Sequence, residues 1–488
     1  MATTISASRR RAESLRTEAQ SFRIHEDVPS TEDTEMNESA PQVNDDVEQE
    51  TEPLEEDGQE SEYSESSEDE APADGHFQQD MARLQDSFAG FRQKYRLIKR
   101  IGEGTFSTVY KAEDLVYDKH DNSWDMDKEL DKWTPPPLRN HTSQSGEILD
   151  YTSQSQRRRK PKYVAIKKIY VTSSPNRILN ELELLHDLRG CQSVCPLITA
   201  FRSTDQVVAI LPYFRHADFR DYFREMTIPD MAIYLRSLFT ALASVHQHNI
   251  LHRDIKPTNF LYDPDSRRGV LVDFGLAERE GADGGKHCLC HDDSATRKAR
   301  LQPLFSAEPK EGYAREDTRP SRRANRAGTR GFRAPEVLFK CTEQTTKIDI
   351  WSAGVILLTI LSRRFPFFNS ADDVEAMIEI ATIFGNKRMQ GAALLHGCMM
   401  ETSIPTIGRS GYSLEGIILW STGRSDKVKI SEDEKLAIKF LSRCMELDPT
   451  RRISAADALQ HDFLRMGLDE SAEEASDEDT DEMDMLKF

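Results

Sequence analysis

A short segment in the middle of the chain, from His252 to Asn259, concentrates side chains that suit phosphoryl transfer. Its sequence, HRDIKPTN, places Asp254 and Asn259 five residues apart with Lys256 between them. At this spacing Asp254 can set a carboxylate beside an attacking hydroxyl while the amide oxygen of Asn259 binds a metal ion. Lys256 can supply positive charge for the phosphoryl group. The segment therefore predicts a catalytic loop.

A second carboxylate follows downstream in the string Leu271-Val-Asp273-Phe-Gly275. Asp273 stands on a turn after a short predicted strand, where a carboxylate suits Mg²⁺ that bridges ATP phosphates. Either string alone could be structural, but the two occur together and follow the two upstream segments described next. Their combination indicates magnesium-dependent transfer of phosphate from ATP.

A glycine-rich hairpin lies upstream between two predicted strands, with the sequence Gly102-Glu-Gly104-Thr-Phe-Ser107-Thr-Val109. Two glycines two positions apart let a backbone bend close to an anionic ligand and direct its N–H groups at phosphates. The dinucleotide-binding alternative requires a helix after the loop and a third glycine. Here a strand follows and Ser107 stands at the third position, so the pattern favours ATP phosphates.

The next predicted strand ends in a lysine, in the string Val164-Ala-Ile-Lys167. A lysine at such a position is by itself more often a solvated edge residue. Glu181, on the helix predicted to follow, can pair with Lys167 and hold its ammonium group toward phosphates. Lys167 and Glu181, together with Asp254 and Lys256, are therefore candidate catalytic residues.

The surrounding hydrophobic periodicity predicts an α+β fold. Alternating apolar residues indicate strands at 95–101, 109–112 and 163–169, whereas helical spacing begins after residue 177 and dominates from Met231 onward. A small β-rich N-terminal lobe followed by a large helical C-terminal lobe accounts for this order. We place the domain at 91–465, with polar inserts at about 118–160, 281–318 and 385–431.

Both ends of the chain are acidic and poor in large apolar residues, which predicts disordered tails at 1–90 and 466–488. The net charge of −20 argues against direct nucleic-acid binding, because a polyanion would be repelled.

Seven cysteines without a small-scaffold spacing indicate reduced thiols inside a cell. The N-terminus lacks the apolar stretch of a secretory signal, and no apolar run is long enough to span a bilayer, so we expect a soluble protein without membrane contact.

Taken in order, these strings resemble the signature set of the eukaryotic protein kinases. The similarity continues through Ala334-Pro-Glu336, Asp349-Ile-Trp-Ser-Ala-Gly354 and Asp448-Pro-Thr-Arg-Arg452. The resemblance implies the bilobal kinase fold and an ion pair between Glu336 and Arg452. It also implies that Asp349 anchors the backbone of the catalytic loop.

The resemblance further assigns a specificity class and ligand roles. A lysine at position 256 is similar to the serine/threonine kinases, and Thr329 lies where family members place a threonine that contacts the catalytic loop. Asn259 and Asp273 would hold Mg²⁺. The residues that would bind ATP are Ile101, Gly102, Glu103, Gly104, Val109, Ala165, Lys167, Leu211, Tyr213 and Leu261.

The large inserts, one of them inside the segment between Asp273 and Glu336, resemble those of the cell-division-cycle kinases that fire replication origins, the DDK catalytic subunits. This similarity implies an activating regulatory subunit, subunits of the minichromosome maintenance helicase as substrates, and a nuclear site of action. The alternatives are another cell-cycle kinase of the cyclin-dependent or casein-kinase type, and a pseudokinase scaffold.

Two further features concern substrate choice and a second metal. Six arginines and no acid occur between Arg319 and Arg333, which would favour acidic or already phosphorylated substrates unless these arginines pair with the protein's own acids. The string His287-Cys288-Leu-Cys290-His291 has zinc-like ligand types and spacing. The alternative for Cys288 and Cys290 is a loose loop with reduced thiols.

Overall fold

The computed structural model describes residues 25–26, 74–104, 106–120, 122, 124–125, 161–170, 172–281, 287–306, 327–424 and 429–467. The chain forms two compact units, one made of Met1–Ile178 with Leu197–Tyr213 and the other of Leu179–Pro196 with Phe214–Phe488. None of the helices in the described ranges has the length and apolar character needed to cross a membrane.

The first unit is built on a six-stranded sheet. Its elements are β1 (His25–Glu26), α1 (Asp74–Ser87), α2 (Phe91–Lys94), β2 (Tyr95–Glu103), β3 (Ser107–Asp114), β4 (Tyr163–Ile169), β5 (Thr199–Ser203) and β6 (Gln206–Pro212). The strand order is β1-β5-β6-β4-β3-β2, with β1 parallel to β5 and the other neighbours antiparallel. Along β3 the side chains alternate between half-buried and buried, as the two-residue period of a strand requires.

Ordered structure begins earlier than the sequence predicts. Helix α1 lies within the predicted disordered tail, and Leu84 and Phe88 pack into the hydrophobic core with Phe91 and Tyr95. The boundary at residue 90 is therefore wrong. The acidic composition of the tail hides an amphipathic stretch in which Met81 and Leu84 of the helix, and Phe88 directly after it, recur at helical spacing and pack into the hydrophobic core.

The second unit is mainly helical. Its elements are most of α3 (Pro175–Asp187), then α4 (Phe219–Tyr222), α5 (Ile228–Gln247), β7 (Ile250–Leu251), β8 (Phe260–Asp263), β9 (Arg268–Leu271), β10 (Glu278–Arg279), α6 (Ser294–Ser306), α7 (Pro335–Leu338), α8 (Lys347–Ser362), α9 (Asp373–Phe384), α10 (Asn386–Leu395), α11 (Leu414–Ser421), α12 (Glu432–Cys444), α13 (Ala455–Ala458) and α14 (Asp462–Arg465). The prediction of an α+β fold with a β-rich first part and a helical second part is confirmed.

Helix α8 is the central element of this unit, since every residue from Ile348 to Ser362 is buried. Gly354 lets α12 approach closely: a Cβ at this position would lie 2.9 Å from Met445 Cγ and 3.0 Å from Cys444 Cβ. Helix α5 begins with a capping box in which Thr227 and Asp230 satisfy each other's backbone N–H groups. These two helices support the loops that carry the functional residues.

The inserts differ in how far they are described. Most of the first predicted insert lies outside the described residues. Around the second insert, residues 287–306 are described, whereas 282–286 and 307–326 are outside the described residues. The third insert forms α10 and α11, whose buried residues include Met389, Ala393, Ile418 and Leu419. The predicted tails also fall outside the described residues, except for 25–26, 74–90 and 466–467.

Candidate active site

The predicted catalytic loop begins at the end of β7 and is fixed by one carboxylate of α8. Asp349 Oδ2 accepts hydrogen bonds from His252 N and His246 Nε2, both at 2.9 Å, and Oδ1 accepts from Arg253 N at 2.8 Å. Asp349 is fully buried. The anchoring of the loop backbone by Asp349, which the family resemblance implied, is confirmed in the structure.

The same contacts determine the charge state of this buried acid. Burial acts to raise the pKa of Asp349, but the hydrogen bond and charge of His246, with smaller contributions from His252, outweigh it and hold the pKa below its ordinary value. Asp349 is therefore ionised at neutral pH. An ionised carboxylate binds the two backbone N–H groups of the loop more strongly than a neutral acid would.

Asp254 stands in a network that fixes both of its carboxylate oxygens. Oδ1 accepts hydrogen bonds from Thr329 N at 3.0 Å and Thr329 Oγ1 at 2.7 Å, and Oδ2 accepts from Asn259 Nδ2 at 2.9 Å. Lys256 Nζ lies 3.3 Å from Asp254 Oδ2 and donates to Thr329 Oγ1 at 2.9 Å. The predicted contact of Thr329 with the loop is confirmed, and it reaches the carboxylate of Asp254 itself.

The amide of Asn259 has a defined orientation. Its Nδ2 donates to Asp254 Oδ2 and also to the backbone oxygen of Asp254, each at 2.9 Å. With both amide hydrogens directed at Asp254, the carbonyl oxygen Oδ1 is the atom that could serve as a metal ligand. Asn259 O also accepts a hydrogen bond from Val272 N at 2.9 Å, which ties this loop to the residue before Asp273.

Asp273 lies at the turn after β9 in a left-handed conformation, with φ of 65°. A Cβ built on Gly275 would lie 3.3 Å from Asp273 Oδ1 and 3.5 Å from Glu181 Oε2, so the carboxylates of Asp273 and Glu181 flank the same glycine. Phe274 is buried and packs edge-on against His252 with ring centroids 4.8 Å apart. The second unit thus brings Asp254, Asn259, Asp273 and Glu181 onto adjoining segments.

Gly328 explains how Thr329 reaches Asp254. Its φ is 99°, and a Cβ at this position would lie 2.2 Å from the backbone oxygen of Arg253. Only glycine permits this approach, because a side chain would push the segment away from the catalytic loop. Gly328 was not predicted as a functional residue, although it stands in the string Ala327-Gly328-Thr329 within the arginine-rich stretch from Arg319 to Arg333.

A buried ion pair holds the segment downstream. Arg452 Nη1 and Nη2 donate to Glu336 Oε1 and Oε2 at 2.6 Å and 2.9 Å. The pairing that the resemblance implied is confirmed. It fixes α7, which follows directly on the loop that contains Thr329.

The candidate nucleotide residues of the first unit lie on four neighbouring strands, β2, β3, β4 and β6, or directly after them. Val109 on β3 pairs in register with Lys167 on β4, and Ala165 on β4 pairs with Leu211 on β6. Ile101, Gly102 and Glu103 are on β2, and Gly104 N donates to Ser107 O at 2.8 Å to form the turn. Tyr213 follows β6, and Leu261 lies on β8 of the second unit. The pairing of Lys167 with Glu181 stays a prediction.

Cys288 and Cys290 do not lie in a loose loop. Both are buried and meet Cys341 and His396 in a cluster whose ligand atoms all lie within 4.8 Å of one another. Cys290 Sγ is 3.8 Å from Cys341 Sγ, and Cys288 Sγ is 3.7 Å from His396 Nδ1. Hydrogen bonds from Cys290 and Cys341 lower the pKa of the Cys288 thiol.

The other two residues of this cluster were missed. Cys341 follows α7 and has no neighbouring Cys or His that would mark it in the sequence, whereas His396 follows α10 and precedes Cys398 by two positions, a ligand-like spacing that could have indicated it. The histidines beside the cysteines are engaged elsewhere. His287 Nε2 is 2.7 Å from Asp292 Oδ1, and His291 Nε2 is 3.3 Å from Glu343 O.

Comparisons with known proteins show the family to which the chain belongs. The protein kinase domain family matches residues 151–293 and 312–464. The cell cycle serine/threonine-protein kinase hsk1 of Schizosaccharomyces pombe is 50% identical over 412 residues, which cover 82% of this chain and 78% of that protein. The cell cycle protein kinase spo4 of the same organism is 40% identical over 396 residues, 79% of this chain and 88% of its own length.

A third relative is the probable cell division control protein 7 homolog 2 of Encephalitozoon cuniculi, which is 39% identical over 375 residues, 76% of this chain and 92% of that protein. A protein kinase domain transfers phosphate from ATP with the help of Mg²⁺. The chain belongs to the protein kinase family and, within it, to the cell-cycle serine/threonine kinases related to cell division control protein 7.

Proposed function

We propose that this kinase triggers the firing of replication origins in the nucleus by phosphorylating subunits of the minichromosome maintenance helicase, together with an activating regulatory subunit. The observation that carries the proposal is the 50% identity, over 82% of this chain, to a kinase named for the cell cycle. The names of the other relatives also refer to the cell cycle and to cell division control.

Asp254 acts as the general base in this proposal. Thr329 fixes its Oδ1 and Asn259 fixes its Oδ2, so the carboxylate keeps one orientation while it receives the proton of a substrate hydroxyl. Lys256, whose Nζ lies 3.3 Å from Asp254 Oδ2, supplies positive charge for the phosphoryl group in transfer.

Asn259 and Asp273 fit Mg²⁺, because an amide oxygen and a carboxylate are the hard oxygen ligands that this ion takes. The hydrogen bonds from Asn259 Nδ2 to Asp254 orient the amide so that its oxygen remains as the donor atom for the metal. When bound, the ion neutralises charge on the ATP phosphates. Both residues lie in one unit and are connected through the hydrogen bond from Val272 N to Asn259 O.

The first unit contributes the nucleotide-binding residues. The ammonium group of Lys167 and the amides of the glycine-rich turn neutralise the phosphates. Apolar side chains of the strands, together with Leu261, contact the adenine. The pairing of Lys167 with Glu181 belongs to the same proposal, since it would direct the lysine toward the phosphates.

Acidic or already phosphorylated sites are the proposed targets. Six arginines between 319 and 333 support this preference through charge-assisted hydrogen bonds. Arg333 is an exception, because its Nη1 donates to Asp373 Oδ1 at 2.6 Å and its Nε to Gly328 O at 2.8 Å. The proposed preference therefore does not rest on Arg333.

The test is a kinase assay with the full chain and the subunit that copurifies with it. The substrates are three helicase-derived peptides that differ only in the residue after the target serine, which is aspartate, phosphoserine or alanine. We expect faster transfer to the first two peptides. Equal rates on all three would contradict the acidic preference, and the absence of a stoichiometric partner would contradict the regulatory subunit.

The cysteine cluster is proposed to hold a structural zinc ion. A tetrahedral zinc with Zn–S bonds of about 2.3 Å and a Zn–N bond of about 2.0–2.1 Å separates two sulfurs by about 3.8 Å and a sulfur from a nitrogen by about 3.6 Å. The distances of 3.8 Å between Cys290 and Cys341 and 3.7 Å between Cys288 and His396 agree with this geometry. Such an ion would join the second insert to the segments that follow α7 and α10.

Metal analysis of the full chain tests the zinc proposal. We expect one zinc per chain in the wild type and in the control Cys191→Ser, whose thiol is distant in sequence and outside the cluster. Cys341→Ser should lose the metal. A wild-type chain purified without chelator and lacking zinc, or an unchanged zinc content in Cys341→Ser, would refute it.

A further inference from the structure

The guanidinium group of Arg253, the second residue of the catalytic loop, is buried against an acid of its own chain. Its side chain is 3% exposed, and Nη1 lies 2.6 Å from Glu278 Oε2. Glu278 begins β10, which pairs antiparallel with β7 so that Glu278 lies opposite Leu251. Glu278 is therefore held by a short strand pair whose other strand, β7, leads directly into the catalytic loop that carries Arg253.

The backbone of Arg253 connects three functional segments. Its N–H donates to Asp349 Oδ1 at 2.8 Å, and its carbonyl oxygen is the atom that Gly328 approaches. Its φ of 70° is in the left-handed region, which a non-glycine residue adopts only when its surroundings hold it there. The side-chain contact with Glu278 is part of those surroundings, so it bears on the position of Asp254, the next residue.

Many kinases order this part of the molecule with a phosphate group on the activation segment, which pairs with arginine side chains. Here a carboxylate is already in contact with Arg253. The pair is buried on the arginine side, and Arg253 Nη2 is also buried and makes no hydrogen bond within the described ranges. Without the charge of Glu278, the guanidinium would be a buried cation with little compensation, which is strongly unfavourable.

We infer that Glu278 is a positioning residue that supplies Arg253 with a permanent anion, in the place where other kinases require a phosphorylated activation segment. The catalytic loop of this kinase would then be ordered without phosphorylation of its own activation segment. The inference rests on the proposed role of Asp254, because the ion pair acts on the reaction only through the loop that carries that residue.

Steady-state kinetics of the full chain, with the subunit that copurifies with it, test the role of Glu278. Glu278→Gln keeps the shape and removes the charge. We expect kcat to fall by about 10- to 100-fold through misplacement of the loop, with KM for ATP changed by less than about 2-fold. Glu278→Asp should recover part of kcat. The control is Asp265→Asn, which removes an acid from an exposed ion pair with Arg215 and should leave kcat unchanged.

Two further measurements separate a positioning role from general destabilisation. Acetate added to Glu278→Ala should restore kcat in a saturable manner, because it can return an anion to Arg253. Treatment of the wild type with a protein phosphatase, followed by its removal, should leave kcat within about 2-fold of the untreated enzyme.

Several outcomes would overturn the inference while leaving the proposed function intact. These are a wild-type kcat in Glu278→Gln, a loss of stability in Glu278→Ala without recovery of kcat by acetate, and a large loss of activity after phosphatase treatment. A wild type that transfers no phosphate at all would instead refute the proposed function, and the inference with it.

Discussion

The ion pair between Glu336 and Arg452 gives a direct test of how the helical unit is stabilised. The arginine side chain is fully buried and the glutamate side chain is 2% exposed. Besides its two hydrogen bonds to Glu336, Arg452 donates from Nε to Glu446 O at 2.9 Å and from Nη1 to Lys347 O at 2.7 Å. Arg452→Met would therefore leave one carboxylate and two carbonyl oxygens without this donor, whereas Glu336→Gln leaves the guanidinium with its two carbonyl acceptors.

The expected magnitudes follow from these contacts. Breaking a buried ion pair from one side costs about 3–5 kcal/mol, because the other charge is left buried. We expect Glu336→Gln to lower the free energy of unfolding by about 3 kcal/mol. We expect Arg452→Met to lower the free energy of unfolding by about 5 kcal/mol, since each of the two carbonyls that lose their donor adds about 1 kcal/mol. At about 2 °C per kcal/mol for a domain of this size, Tm should fall by about 6 °C and about 10 °C.

Thermal unfolding of the two single variants and of Glu336→Gln combined with Arg452→Met is the assay. Arg452→Met already removes the partner of Glu336. The double variant should therefore lose about 1–3 kcal/mol less free energy of unfolding than the two single variants lose in total. Arg215→Met is the matched control, as its ion pair with Asp265 is exposed and contributes about 0–1 kcal/mol. Strictly additive losses, or an Arg452→Met variant that melts with the wild type, would refute the reasoning.

Three further expectations concern the site and the N-terminal helix. Asp254→Asn should lower kcat by about 10²–10⁴-fold with ATP binding retained, as measured by steady-state kinetics and nucleotide titration, because the proposed general base is lost. Gly328→Ala should lower kcat by about 100-fold in the same kinetic assay, because a Cβ 2.2 Å from Arg253 O displaces Thr329 from Asp254. Leu84→Ala should destabilise the fold by about 2–5 kcal/mol in thermal unfolding, since Leu84 is fully buried, whereas Leu115→Ala, at a side chain 43% exposed, should not.

Much of the catalytic loop could be predicted from the sequence because its functional atoms are close together along the chain. Asp254 and Asn259 lie five residues apart on one loop, so their spacing alone predicts that they serve one site, and Asn259 Nδ2 lies 2.9 Å from Asp254 Oδ2. The support given by Asp349 could be predicted only through resemblance to the kinases. Its contacts join residues almost a hundred positions apart, and no local pattern encodes them.

The cluster of three cysteines and one histidine shows what local sequence patterns cannot predict. Cys288 and Cys290 carry a recognisable spacing, but the other two residues of the cluster are 51 and 106 residues beyond Cys290 and were assigned to no site.

Helix α1 was missed for the opposite reason. Its apolar positions are present in the sequence, but they adjoin a long acidic stretch, and average composition outweighed the periodicity of Met81, Leu84 and Phe88.

The segment between Asp273 and Glu336 is joined to the helical unit on both sides of its insert. Before the insert, Glu278 pairs with Arg253, and within it Cys288 and Cys290 meet Cys341 and His396. After it, Thr329 binds Asp254. Because these contacts come from separate elements of one unit, each lowers the entropy cost of forming the others. A kinase with such anchors can hold its catalytic loop with carboxylate, thiol and backbone groups that are present as soon as the chain folds.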